Sequence, residues 1–154
     1  MALLAAIAMA GPQGAGAAGS IDVYGVGMSH LGSFSKLSCK IVSGKGKKRF
    51  VAKAKDGDAT LDISLNKFSG YKQKYNIRYG DFGSVVGFRY GGGASYLSVF
   101  EPDGGGSKDA GYVTFPKNKK GKADGSQLHI SALLYSSEGT FAVAVGGTLS
   151  CSKK

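Results

Sequence analysis

The sequence predicts an all-β fold: an antiparallel β-sandwich or barrel of about eight to ten short strands in one domain. Three observations predict it. Apolar and polar residues alternate with a period of two in many short segments, as they do when one face of a strand is buried. Turn-forming residues separate these segments, and Gly alone contributes 26 of 154 residues, against an average usage of about 7%. No long apolar stripe has the helical period of about 3.6 residues.

The alternating segments can be placed in order along the chain. The predicted strands are 21–28, 36–43, 49–55, 60–66, 74–78, 85–90, 96–100, 111–115, 127–135 and 140–151. The clearest pattern is at 71–79, where Tyr or Ile at positions 71, 75, 77 and 79 is interleaved with Lys, Asn and Arg. Because successive side chains point to opposite faces of a strand, we expect one buried face and one cationic face here. Residues 43–48 are predicted to be a hairpin connection, and the Gly-rich segments 91–93 and 104–106 are predicted to be loops.

The first 18 residues have the character of a secretory signal peptide. An apolar run at 1–10 is followed by small residues and a Pro at 11–18, but no Lys or Arg precedes the run. The run is too short to span a bilayer, which takes about 20 apolar residues. We therefore expect residues 1–18 to be a signal peptide and residues 19–154 to be the mature β domain. The alternative is an apolar segment that stays on the protein and packs against a partner or a neighbouring subunit.

The two cysteines also indicate export. Cys39 and Cys151 each lie in an alternating segment near one end of the mature chain, and an even count in a secreted protein is typical of a disulfide. The alternative is a pair of buried free thiols. Two isolated cysteines lack the paired spacing of a zinc site, so no metal is expected. We predict a Cys39–Cys151 disulfide and an extracytoplasmic location, secreted or at the cell envelope.

Charge is the strongest indication of a partner. Lys and Arg total 20 against 10 acidic residues, a formal net charge of +10, which favours attraction to polyanions. The cations are concentrated in two clusters. The candidate anion-binding residues are Lys45, Lys47, Lys48 and Arg49 in the first cluster, and Lys117, Lys119, Lys120 and Lys122 in the second. They form one focused patch if both clusters lie at the same end of the domain, and are only solvated loops otherwise.

The expected partner is anionic lipid, a cell-wall polymer or a glycan. Nucleic acid is not expected, because the tyrosines of 71–79 face away from the neighbouring cations and cannot form a stacking platform beside them.

Catalytic and metal-binding patterns are few. The two histidines, His30 and His129, belong to no recognised catalytic motif, so we expect neither an enzyme nor a cofactor. Two acidic clusters match only fragments of a calcium loop, and turn formation accounts for them. These clusters are Asp56, Asp58 and Asp62, and Glu101, Asp103 and Asp109.

Several segments resemble a known family. They are residues 37–39, 122–126, 128–131 and 141–145, together with the Cys close to the C-terminus. In these the chain resembles the small 19 kDa lipoprotein antigens of mycobacterial envelopes. The resemblance implies a Gly-rich β domain with one Cys near each end and no catalytic chemistry. Those proteins carry a lipidated Cys at the signal cleavage site, whereas no Cys precedes position 39 here, so a lipid anchor is not expected.

Taken together, these observations predict a non-enzymatic binding or structural module that contacts anionic surfaces through its basic loops. The alternative is a self-assembling surface or filament subunit that retains its N-terminus, since a domain of many strands has edges that other chains can pair with.

Overall fold

Strands make up 58% of the chain in the computed structural model, which describes residues 19–25, 27 and 29–153. Within that part of the chain the fold is all-β, with eleven strands in one domain and no helix long and apolar enough to span a bilayer. The strands are β1 (Ile21–Gly25), β2 (His30–Phe34), β3 (Leu37–Gly44), β4 (Lys47–Asp56), β5 (Ala59–Leu65), β6 (Tyr75–Arg78), β7 (Ser84–Tyr90), β8 (Ala94–Leu97), β9 (Asp109–Thr114), β10 (Gln127–Ser136) and β11 (Ala142–Lys153). The predicted signal peptide at 1–18 lies outside the described residues.

The strands form one mixed sheet that returns on itself. Their order is β2-β1-β11-β3-β4-β5-β7-β8-β10-β9-β6, and β10 also pairs with β11. Hydrogen bonding therefore runs from β11 through β3, β4, β5, β7 and β8 to β10 and back to β11. All pairings are antiparallel except that of β3 with β11, which is parallel. The parallel pair departs from the expected purely antiparallel sheet. It is possible because β3 and β11 are far apart in sequence and no short turn constrains their direction.

The period-two pattern defines the core. Along β5 buried and partly exposed residues alternate over the whole strand, and Leu61, Ile63 and Leu65 are fully buried. In β6 Tyr75 and Ile77 are buried while Asn76 and Arg78 are exposed, which confirms the predicted division into a core face and a polar face.

All ten predicted strands overlap an observed strand, but β2 was not predicted. Its sequence, His-Leu-Gly-Ser-Phe, has a Gly at its centre and only a weak alternation. It is nevertheless held by pairing with β1, and Phe34 is fully buried against the ring of Phe88, with centroids 6.3 Å apart. Tertiary packing therefore decides this strand. The first predicted strand runs to residue 28, whereas β1 ends at Gly25 and Gly27 is not in a strand; residues 26 and 28 lie outside the described residues.

Cys39 and Cys151 form the predicted disulfide. The parallel register places Cys151 opposite Leu37 on β3, so the two cysteines are diagonal neighbours with Cα atoms 5.4 Å apart. This separation lies within the range that a disulfide spans.

Candidate anion-binding surface

The first basic cluster forms the tip of the β3–β4 hairpin. Lys45 and Gly46 both have positive φ, 47° and 74°, and Gly44 pairs with Lys47, so the connection is a two-residue turn. Positive φ at both central residues is the mark of a type I′ turn, in which Asn or Gly is the usual first residue. A Lys at this position costs backbone energy, because its Cβ crowds the left-handed conformation.

The hairpin tip projects beyond the rest of the sheet. The neighbouring strand β5 ends at Leu65, which pairs with Phe50 of β4, so the residues of β4 before Phe50 have no β5 partner. The four cations of this cluster are exposed: Lys45, Lys47, Lys48 and Arg49.

The second basic cluster lies on an ordered connection between β9 and β10, residues 115–126. The Asn118 side-chain oxygen accepts hydrogen bonds from the backbone amides of Lys120 at 2.8 Å and Lys122 at 3.0 Å. The Asn118 amide nitrogen in turn donates to the Asp124 carboxylate at 2.6 Å. One short side chain thus fixes the backbone of the loop and leaves its lysines free to project. Its four cations are exposed: Lys117, Lys119, Lys120 and Lys122.

Asp124 anchors the end of this loop. Its carboxylate also accepts the Ser126 backbone amide at 2.9 Å. Hydrogen bonds from Ser126 and then from Asn118 lower the pKa of Asp124 to about 2, against an ordinary value of 3.8. The carboxylate is therefore ionised at neutral pH.

An aromatic cluster joins the two loops. Phe50, directly after Arg49, lies 5.0 Å from the ring of Phe115, two residues before Lys117. The rings of Phe68 and Tyr71 pack against both of these phenylalanines, at centroid distances between 5.1 and 6.4 Å. The Phe68 amide also donates to the Lys48 carbonyl at 3.2 Å. The two basic clusters therefore emerge from the same end of the domain, and we call their eight cations the basic end.

The connection from β5 to β6 adds cations that the sequence analysis had not assigned to this patch. Lys67 precedes Phe68 and Lys72 follows Tyr71, and both lysines are exposed. The sequence shows a Lys next to each aromatic residue of this segment. Only the packing of the rings shows that they belong to the aromatic cluster between the two loops.

The basic end carries uncompensated charge. Within the described residues none of its eight cations forms an ion pair. The pairs between side chains that are charged at neutral pH lie elsewhere: Lys53–Asp62, Arg78–Asp109 and Lys108–Glu101. A group of unpaired cations on adjoining loops produces a focused positive potential, which attracts polyanions over a distance set by ionic strength.

The two histidines are engaged in local contacts. His129 lies 2.8 Å from the Thr148 hydroxyl, and burial lowers its pKa. His30 lies 3.5 Å from Asp22. Partial burial acts to raise the pKa of Asp22, but hydrogen bonds from Ser33, Ser20 and His30 outweigh it and the pKa is lowered. The hydroxyl groups of Ser20 and Ser33 therefore contact the Asp22 carboxylate and not the His30 imidazole. In a Ser–His–Asp triad the serine hydroxyl instead contacts the imidazole, which in turn contacts the carboxylate.

The acidic clusters do not converge on a cation site. In the part of the chain that the structure describes, no three His, Cys, Asp or Glu side chains lie close enough to hold a metal ion. Asp62, Glu101 and Asp109 contact neighbouring cations instead.

Comparison with known proteins gives no relative. No protein-family model, no curated protein and no solved structure matches this chain. The resemblance to the 19 kDa antigens therefore depends on the sequence motifs alone.

Proposed function

We propose that this protein is a non-enzymatic, extracytoplasmic binding module that attaches to an anionic surface through its basic end. One observation carries the proposal: two basic clusters almost 70 residues apart in sequence emerge from one aromatic cluster. Because the aromatic cluster holds both loops at one end, their positive charges act on the same region of a ligand surface.

The ordered backbone of both loops supports a binding role. The β3–β4 hairpin has a tight turn, and Asn118 fixes the β9–β10 connection. A loop that is ordered before binding loses less conformational entropy when it contacts a ligand. The Cys39–Cys151 disulfide is compatible with an extracytoplasmic location, where disulfides persist.

Matched charge variants test the proposal. The first variant changes Lys47, Lys48 and Arg49 to Gln, and the second changes Lys119, Lys120 and Lys122 to Gln. The control changes Lys53, Lys55 and Arg89 to Gln, which removes the same charge from three exposed positions on β4 and β7. Lys45 is left unchanged because its backbone is left-handed.

Binding to phosphatidylglycerol vesicles, to heparin and to polygalacturonate is measured over a range of salt concentrations. We expect each basic-end variant to bind more weakly than the control variant to at least one of these surfaces, with a smaller dependence on salt because fewer charges are in contact. Equal losses in all three variants would show that only net charge matters, and unchanged binding would contradict the proposal outright.

A further inference from the structure

A groove lies on the exposed face of β6 and β9, beside the basic end. It is an open depression and not an enclosed cavity, with a volume of about 340 Å³. It is lined by Lys74, Asn76, Arg78, Asp109, Ala110, Gly111 and Tyr112. Lys74 directly precedes Tyr75, whose ring packs against Phe115 of the aromatic cluster, so the groove begins where the basic end stops.

Gly111 borders the groove with backbone alone. A Cβ at this position would collide with the backbone of Ser131 and Ala132 on β10, and the φ of Gly111 is 148°. The close approach of β9 to β10 therefore requires glycine here, and the walls of the groove are formed by the side chains on either side of it.

Two cations are held at opposite ends of this depression. Lys74 Nζ lies 4.5 Å from the centre of the Tyr112 ring. Arg78 Nε lies 3.4 Å from Asp109 Oδ1, and both side chains are more than half exposed. Three residues of extended chain lie between Lys74 and Arg78, which places their Cα atoms about 13 Å apart.

Polar groups suited to hydroxyl ligands lie between these cations. Asn76 is exposed, pairs with Tyr112 across the strands, and makes no side-chain hydrogen bond within the described residues. Its amide both donates and accepts, whereas the Asp109 carboxylate only accepts. A sugar hydroxyl group can donate a hydrogen bond to the Asp109 carboxylate, whereas an ionised polyphosphate has no proton to donate. Because the Tyr112 ring is already packed against Lys74 and against His129, 5.8 Å away, it is not a free platform for a nucleic-acid base.

We propose that this groove binds an acidic glycan, with the cations contacting carboxylate groups of the sugar chain and with Asn76 and Asp109 contacting its hydroxyl groups. This proposal adds the class of ligand to the proposed function, and it depends on that function only in taking the partner to be anionic. In this arrangement the basic end supplies long-range attraction, and the groove supplies selectivity for acidic sugars over other polyanions.

The test uses a hexamer of α-1,4-linked galacturonate as the acidic probe and the same hexamer after carboxyl reduction as the neutral probe. Binding is measured by calorimetry for the wild type and for the Asn76→Ala, Arg78→Ala and Arg89→Ala variants. Arg89→Ala removes the same charge from an exposed position on another strand. NMR of the labelled protein locates the contact.

We expect the galacturonate hexamer to shift the amide signals of residues 76, 78 and 112. Arg78→Ala should weaken its binding by about tenfold, the scale of one hydrogen bond to a charged group, and Asn76→Ala by about fivefold, the scale of one between neutral groups, while Arg89→Ala leaves it unchanged. Vesicle binding should not respond to the groove variants.

Other results overturn the inference. The groove is not an acidic-glycan site if the hexamer does not bind or if it binds equally well after carboxyl reduction. The same holds if only the basic-end variants, and not the groove variants, lose binding of the hexamer. The last of these results leaves the proposed function intact. Failure of the basic-end variants to affect any surface would instead contradict the proposed function.

Discussion

The disulfide between Cys39 and Cys151 allows a quantitative prediction. It links β3, which leads into the basic hairpin, to β11, where the Cys151 amide donates to the Ser126 carbonyl at the end of the second basic loop. The perturbation is the double substitution Cys39→Ala and Cys151→Ala. We expect it to lower the free energy of unfolding, because the unfolded chain gains the freedom that the crosslink removed.

The expected magnitude follows from the sequence separation of 112 residues. The loop-entropy relation gives about 4.8 kcal/mol at 25 °C for a closed loop of this length. With a guanidinium m-value of about 4 kcal/mol/M, typical of a small domain, the unfolding midpoint should fall by about 1.2 M. The assay is equilibrium denaturation followed by circular dichroism, with the m-value fitted separately for each protein.

The reduced wild-type protein is the control, since it lacks the crosslink but keeps both cysteine side chains. Cys39 is buried, so any difference between reduced wild type and the double variant reports lost packing rather than lost chain restriction. A midpoint decrease of less than about 0.5 M, or about 2 kcal/mol by the same m-value, would refute the reasoning. Alkylation of both thiols without reductant would refute the disulfide itself.

Three further predictions concern the basic loops. Lys45→Asn should stabilise the domain by up to about 1 kcal/mol in thermal unfolding, because Asn-Gly suits the type I′ turn better, while it weakens retention on heparin. The pKa of Asp124 is lowered to about 2 from 3.8, so its stabilisation of the loop is complete above pH 3.8 and is lost as the pH falls through about 2. An NMR titration should give a midpoint near 2, and Asn118→Ala should raise that midpoint and weaken heparin binding without changing the charge. Gly125→Ala should cost more stability than the roughly 1 kcal/mol expected for Gly121→Ala. Both glycines have positive φ, but only at position 125 would the added Cβ meet the ring of Tyr71, 2.3 Å away. Equal costs would show that the ring moves aside freely.

Local patterns were sufficient to place most strands. The alternation over 71–79 correctly placed Tyr75 and Ile77 in the core and Asn76 and Arg78 in solvent, because the side-chain period of a strand is a local property. The β2 strand has no such pattern, and its central residue, Gly32, is buried by side chains from other strands. No local rule identifies a strand that is held mainly by its neighbours.

The tight turn and the fixed loop of the basic end were only partly foreseeable. The predicted hairpin connection at 43–48 is confirmed, although the turn itself consists only of Lys45 and Gly46; the Gly at the tip supplies a positive φ. The role of Asn118 was missed, although Asn in a loop often accepts hydrogen bonds from amides that follow it. Its hydrogen bond to Asp124 joins residues six positions apart, so it depends on how the whole loop folds and not on neighbouring residues alone.

The sequence by itself determined the all-β class, the charge and the single intramolecular pairing open to two cysteines, because each depends on composition, period or a count of two. Only the tertiary structure decided that Phe50 and Phe115 pack together and bring both basic clusters to one end. It also decided that β3 and β11 run parallel and that β6 and β9 border a groove. These are contacts between residues far apart in the chain, and they are chosen by the burial of a shared core rather than by local alternation.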